Sequence, residues 1–361
     1  MTQLIALKGL LPQEVALAGY RRSQLLGWVY RGVRQFQDMT DLPKSVRQEL
    51  SQRYRLNEVV QWAGSESADG SVKYLFTLSD GASTEAVYMP YRGRITVCLS
   101  TMTGCPVKCV FCASGLLSGR PLTAAEMMDQ HLSCALASGV SPQAVRNVVL
   151  MGIGEPLLNY DAAVRALRLF THPETLHLSH RRITLSTVGI SPAIRRLARE
   201  NLSVTLALSL HAPNQELRQA LIPLARRYPL DDLMDAVKEY QAETGRRVSF
   251  EYTLIRGKND SLELARELGA LLQGLMAHVN LIPLNPVPAI ALSPTSRRGV
   301  SAFAEALRRC NVNVSIRFSR GQEIGAACGQ LANALTLPAT SEYTATARRG
   351  AVSSGGRAPD F

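Results

Sequence analysis

The chain has 361 residues, 46% of them hydrophobic, a net charge of +11 and a pI of about 9.5, which points to one large domain with an appendage and a polyanionic partner such as nucleic acid. Three of the seven cysteines crowd one loop, which argues against a disulfide framework. No run approaches the roughly 18 apolar residues of a membrane span and MTQLIALKGL lacks the pattern of an export signal, so a soluble protein of the reducing cytoplasm, with no membrane partner, is expected.

Residues 1 to about 62 read as a separate helical segment. In 20-YRRSQLLGWVYRGVRQF-36, Leu25, Leu26, Val29, Val33 and Phe36 recur every three or four residues, with Arg21, Arg22, Arg31 and Arg34 elsewhere on the surface. A second helix is expected near 42-LPKSVRQEL-50, where Pro43 can occupy the first turn. The segment is either a small helical bundle or an RNA-gripping accessory domain. From 63 to 93 the pattern turns to β: 72-VKYLFTL-78 and 85-EAVYMP-90 flank the polar turn 79-SDGAS-83 as a hairpin connector.

Residues 94 to 334 alternate strand-like and helix-like runs. The strands are expected at 94–100, 146–152, 181–187, 203–210, 247–255, 278–284 and 314–319, and the helices near 122–138, 160–170, 191–200, 229–243, 260–274 and 297–310. Repeated β-α units imply a parallel sheet and an α/β fold, here a full or partial (β/α) barrel whose site lies at the carboxyl ends of the strands. The tail from 335 to 361 is poor in large apolar residues and is expected to be disordered.

The first barrel strand runs into 104-GCPVKCVFCASG-115, where Cys105, Cys109 and Cys112 are spaced C-x3-C-x2-C. Thiolates are soft ligands for iron-sulfur clusters or zinc, and a [4Fe-4S] cube takes one protein ligand per iron. Three cysteines leave one iron open; a zinc loop completed by a distant ligand such as Cys98 is the alternative. Further polar residues follow later strands: Gly152, Gly154 and Glu155 in 152-GIGEPLLN-159, Ser186, then Ser209, Leu210 and His211 in 209-SLHAP-213, and Asn285. Each alone is ordinary end-of-strand capping. Cys328 sits far downstream in 319-SRGQEIGAACGQL-331, and with Cys98 it gives two more thiols at the barrel mouth.

The cysteine spacing, with Phe111 before Cys112, resembles the radical S-adenosylmethionine (SAM) superfamily. The wider set, from 7-LKGL to 326-AACGQL and including 85-EAVYMP-90, 149-VLMGIGEPLLN-159, 181-RRITLSTVG-189 and 280-NLIPLNPVP-288, resembles the RlmN/Cfr family of radical SAM RNA methyltransferases.

That resemblance implies a [4Fe-4S] cluster on Cys105, Cys109 and Cys112 and two SAM molecules per turnover. It implies SAM contacts from Gly154, Glu155, Ser186, Ser209, Leu210, His211 and Asn285. Cys328 would carry the methyl group; one SAM methylates its sulfur, and a radical from the second removes a hydrogen from it. The carbon radical then adds to adenine, and Cys98 releases the product by forming a disulfide. Glu85 would contact the target adenine. The implied substrate is an adenosine of 23S rRNA, with the adenosine next to the tRNA anticodon for one branch, and the implied reductant is a flavodoxin or ferredoxin. The family splits between C2 methylation and Cfr-like C8 methylation, which confers antibiotic resistance. The run of motifs is more RlmN-like, while 106-PVK-108 and 113-ASG-115 depart from the usual loop. A non-catalytic iron-sulfur RNA-binding assembly factor is the remaining alternative, and two extra thiols at the barrel mouth argue against it.

Overall fold

In the computed structural model, which describes residues 4–332, β1 (Ile5–Ala6) lies parallel to β2 (Tyr54–Arg55), with α1 (Gly19–Tyr30) and α2 (Lys44–Arg53) between them. Leu25, Leu26 and Val29 are buried as the periodicity requires. The helix ends at Tyr30, short of the expected Phe36, because the chain turns at Gly32 with φ +88°, a conformation that residues with a β-carbon avoid. Its basic side is partly consumed by the fold. Arg22 pairs with Glu174 at 3.2 Å, the Arg31 guanidinium lies 4.6 Å over the Trp28 ring, and Arg34 Nη2 donates to the Val59 carbonyl at 2.6 Å.

This segment is not separate from the rest. Leu25, Leu26 and Val29 belong to the same apolar core as Met127, Leu132 and Phe170 of the barrel. A buried ion pair ties the two further: Lys8 Nζ meets Asp129 Oδ1 at 2.5 Å, and Asp129 Oδ2 accepts from the backbone N–H groups of Glu58 and Val59 at 2.7 Å each. Removing one member of such a pair leaves an uncompensated buried charge. Asp129→Ala is therefore expected to lower stability by about 3–5 kcal/mol, read from a denaturant melt; a loss near zero would show that the pair is idle.

The boundary expected at 62/63 falls inside β3 (Val59–Glu66), which pairs antiparallel with β4 (Val72–Leu78), itself paired with β5 (Ser83–Tyr91). The hairpin is thus part of a three-stranded extension. VVQWAGSE hides a strand because Gly64 interrupts its apolar pattern. That glycine makes room for an aromatic partner: a β-carbon there would stand 3.0 Å from the Tyr74 ring, and Trp62 meets the same ring edge-on at 5.5 Å.

The barrel follows as β6 (Arg94–Cys98), α3 (Ala124–Ala137), β7 (Asn147–Leu150), α4 (Tyr160–Thr171), β8 (Ile183–Thr187), α5 (Ser191–Ala198), β9 (Thr205–Ser209), α6 (Gln215–Leu221), α7 (Leu230–Thr244), β10 (Val248–Leu254), α8 (Leu262–Leu271), β11 (Ala277–Pro283), α9 (Arg297–Arg309) and β12 (Val314–Ile316). Strands β3 to β12 form one ten-stranded sheet in sequential order, parallel from β6 onward. Since β3 and β12 are its edges, the barrel is the partial one of the two expected forms. Sequential order follows from short β-α connections, each helix packing back beside its own strand.

The C-terminal segment crosses the open seam. After β12, Arg320 donates to the carbonyls of Asp69 and Pro90 and meets Asp69 Oδ2 at 3.2 Å, and Glu323 accepts from the Ser67 hydroxyl. These contacts anchor the chain to the β3–β4 turn and carry Cys328 across the cavity. The tail expected to be disordered lies outside the described residues. Among the described residues no helix is long and apolar enough to cross a membrane.

Candidate active site

The loop after β6 is shaped by its backbone. Cys105 N–H bonds the Ser114 carbonyl and Cys112 N–H the Cys109 carbonyl, both at 3.1 Å, while Val110 N–H is taken by the Leu221 carbonyl of α6 at 3.1 Å. Cys105, Cys109 and Cys112 all line one cavity, which holds about 890 Å³ of empty space open to solvent. Burial pushes the Cys105 thiol up to about 11 and Cys109 well above the usual thiol range, and neighbouring thiols add to both shifts. Stable thiolates here therefore need a cationic centre bound to them. Among the described residues no three His, Cys, Asp or Glu side chains gather closely enough for a single metal ion. Three soft donors on one cavity wall fit a cluster.

The facing wall comes from the carboxyl ends of β7 to β11. Gly152, Gly154, Glu155, Ser186, Ser209, His211 and Asn285 line it. Gly154 has φ +110°, and a β-carbon there would meet Met102 Cγ at 2.5 Å. The glycine is thus required by both its conformation and its close approach. Glu155 is buried, so its carboxyl is pushed up to about 7, against the N–H groups of Leu157 at 3.0 Å and Val188 at 2.7 Å that favour the charged form. Leu210 does not line the cavity; it is fully buried, with its N–H bonded to the Glu251 carbonyl at 3.1 Å.

His211 is held in one state. Its Nδ1 accepts from Thr253 N–H at 2.9 Å, the ring meets Phe111 edge-on at 4.8 Å, and burial pushes its pKa down to about 3. The ring is therefore neutral, with its proton on Nε2. His131 on α3 is also buried, and burial pushes it down to about 4. Both histidines bind protons less readily folded than unfolded. Stability therefore falls as the pH drops below 6.5 toward 4, because the unfolded chain takes up the protons first. Thermal melts are expected to show that slope and a shallower one in His131→Leu; equal slopes would remove His131 as a contributor.

Glu251 was not anticipated. It lines the cavity from β10, opposite Ser209 on one side and Asn280 on the other, and accepts from Asn280 Nδ2 at 2.7 Å. The only signal was a lone carboxylate within the apolar strand 247-RVSFEYTLI-255.

The remaining thiols and Glu85 lie along the crossing segment. Cys328 lines the cavity with the cluster cysteines, and Asn285 Nδ2 donates to its carbonyl at 2.9 Å while Gln322 Nε2 donates to Asn285 Oδ1 at 2.8 Å. It is exposed to the cavity although protein surrounds it; burial first, then the Glu251 charge, pushes its thiol up to about 11. Cys98 does not line the cavity. It is buried in an apolar cluster with Val87, Ile153, Ala326 and Leu331, close enough that the Cys328 charge adds to the upward push of burial on its thiol. Glu85 also lies outside the cavity lining and is fully buried: Oε2 accepts from Ala332 N–H at 2.9 Å and Oε1 lies 3.2 Å from Lys73 Nζ. The segment carrying Cys328 thus roofs both residues.

Residues 99–268 match the Radical SAM superfamily, and residues 13–56 match the ribosomal RNA large subunit methyltransferase N-terminal domain. The chain is 57% identical over 333 residues to the probable dual-specificity RNA methyltransferase RlmN of Thermus thermophilus, covering 92% of this chain and 94% of that one. The chain belongs to the RlmN family. The corresponding RlmN of Deinococcus deserti is 49% identical over 324 residues, covering 89% of this chain and 94% of that one. A crystal structure of a radical SAM methyltransferase from Sphaerobacter thermophilus superposes with a TM-score of 0.87 at 43% identity, covering 91% of this chain and 99% of that chain. As an RlmN-family radical SAM enzyme, the chain uses a [4Fe-4S] cluster and SAM.

Proposed function

We propose that this enzyme methylates C2 of an adenosine in 23S rRNA and of the adenosine next to the tRNA anticodon, with Cys328 carrying the methyl group. The observation that carries the reading is the shared cavity of Cys328, Cys105, Cys109 and Cys112, with Asn285 fastening the Cys328 backbone. The three cysteines hold the cluster, whose chemistry when bound is to supply the electron that splits the SAM sulfonium. Gly154, Glu155, Ser186, Ser209, His211 and Asn285 bind and orient SAM against it, and Leu210 supports that wall through its N–H bond to the Glu251 carbonyl.

C2 of adenine is electron-poor and a poor nucleophile toward a sulfonium, so a carbon carried on sulfur and activated as a radical is the suitable reagent. Cys328 offers that sulfur in the cavity. Cys98, one layer behind, attacks the thioether sulfur to release the product: the sulfur–carbon bond breaks, the methylene carbon takes up a proton to become the methyl group, the adduct's surplus proton leaves to solvent and its surplus electron would return to the cluster, and the Cys98–Cys328 disulfide left behind is restored by an external thiol reductant. Glu85 contacts the adenine and assists proton movement once Ala332 withdraws its N–H. An adenine reaches this cavity at least cost from an unstacked, single-stranded position, and phosphate contacts of the basic surface, including that of residues 1–62, hold the RNA. A flavodoxin or ferredoxin supplies the electron, and the enzyme works in the cytoplasm.

The test is nucleoside mass spectrometry after anaerobic incubation of the reconstituted protein with SAM, a reductant and protein-free large-subunit rRNA. 2-Methyladenosine is expected; 8-methyladenosine alone would move the protein to the Cfr-like reading, and SAM cleavage without a methylated adenosine would leave the substrate wrong.

A further inference from the structure

Arg218 is a cation that the described protein groups leave without an anion. The side chain, on α6, is fully buried; its Nη2 donates to the Val188 carbonyl, while Nε and Nη1 have no hydrogen-bond partner among the described residues. None of the ion pairs among the described residues involves it. A guanidinium stays charged and carries five donors, and one carbonyl does not compensate its removal from water. A site of this kind is completed by something bound.

Its placement says what that is. The last turn of α6 is clamped to the cysteine loop, since the Leu221 carbonyl takes Val110 N–H, between Cys109 and Cys112; Arg218 lies one turn earlier. Leu221, Val107 and Phe111 form one apolar cluster with Cys105, Cys109 and Cys112 packed against it. Arg218 is absent from the cavity wall formed by Gly154, Glu155 and Asn285. It therefore approaches the cysteine loop from the protein side, away from the space left for SAM.

We infer that Arg218 is the buried counter-ion of the iron-sulfur cluster, a positioning residue behind the cysteine loop that holds the cluster's negative charge and favours its reduced form. The inference rests on the reading that the three cysteines hold a [4Fe-4S] cluster. A 2+ cube on three thiolates has one net negative charge and gains a second on reduction, and net charge and hydrogen bonds to sulfur set its potential. A fixed cation behind the cysteine loop makes that second charge easier to add.

The experiment is redox titration of the full-length reconstituted protein, without SAM or RNA, followed by the electron paramagnetic resonance of the reduced cluster. Arg218→Met and Arg218→Gln are expected to lower the reduced-to-oxidised ratio at a fixed potential by about tenfold, a shift of about 59 mV for one electron. Arg218→Lys, which keeps a charge, is expected to retain most of the wild-type ratio. If the neutral variants fail to retain a cluster while Arg218→Lys retains one, the counter-ion role stands. Unchanged potentials in the neutral variants, or equal loss of cluster in all three, would overturn it. So would a shift absent from that titration and seen only in a parallel one with SAM present, which would make the SAM carboxylate the partner. A wild-type protein that takes up no cluster would sink the functional reading itself, a result visible before any variant is compared.

Discussion

Cys328→Ala is expected to leave the cluster in place and SAM cleavage measurable, while methyl transfer to RNA falls by about 10³-fold or more, as when a covalent catalytic group is deleted. The thiol lines the cavity, but the backbone around it is held by groups that the substitution does not touch. Asn285 Nδ2 bonds the Cys328 carbonyl at 2.9 Å, Ala113 N–H bonds the Gly329 carbonyl at 2.8 Å, and the Ser114 hydroxyl bonds the Leu331 carbonyl at 2.9 Å. A stability change well under about 1 kcal/mol is therefore expected, since the side chain fills no apolar core. Iron content, SAM cleavage and methylated nucleoside, measured on one preparation, separate chemistry from folding. Normal methylation in this variant would remove Cys328 as the methyl carrier.

Cys98→Ala is expected to have the second largest effect, with a different signature. In the proposed mechanism the chemistry up to bond formation with RNA does not use Cys98, so the variant should reach the adduct and stop there. A protein–RNA species then accumulates through the Cys328 thioether, visible as a shifted band under denaturing conditions that nuclease collapses to the protein plus one modified nucleotide. Cys98 sits among Val87, Ile153, Ala326 and Leu331 behind the segment that carries Cys328, and burial holds its thiol protonated. Release by the proposed route thus requires that segment to bring sulfur to sulfur once RNA is bound. Ordinary turnover by Cys98→Ala, with no adduct, would assign release to another group.

The barrel was legible because buried parallel strands read as near-continuous apolar runs. 203-SVTLALSL-210 became β9 (Thr205–Ser209), and the ends of the expected helices fell within three residues of those observed. The cavity residues were legible because parallel β-α units deliver every strand's carboxyl end to one side. Other features were hidden for definite reasons. β3 lacks a clean alternation because Gly64 serves the packing of Tyr74, and α6 is only seven residues long. Asp129 binds backbone groups 70 and 71 residues away, so nothing local in the sequence exposes the union of the N-terminal segment with the barrel. Glu251 and Arg218 escaped notice because their significance is burial beside the cavity and the cysteine loop, which only the assembled fold creates. For Cys98 and Glu85 the sequence placed both near the site, whereas the crossing segment roofs them.

The measurement that tests the account most directly is the isotopic composition of the methyl group installed on RNA when SAM bearing a fully deuterated methyl is supplied. If the methyl passes through the Cys328 sulfur and loses a hydrogen there before joining the base, the product is 2-methyladenosine with two deuteriums in its methyl group. A product that keeps all three deuteriums would mean direct transfer from SAM to the base, and would contradict the role assigned to Cys328.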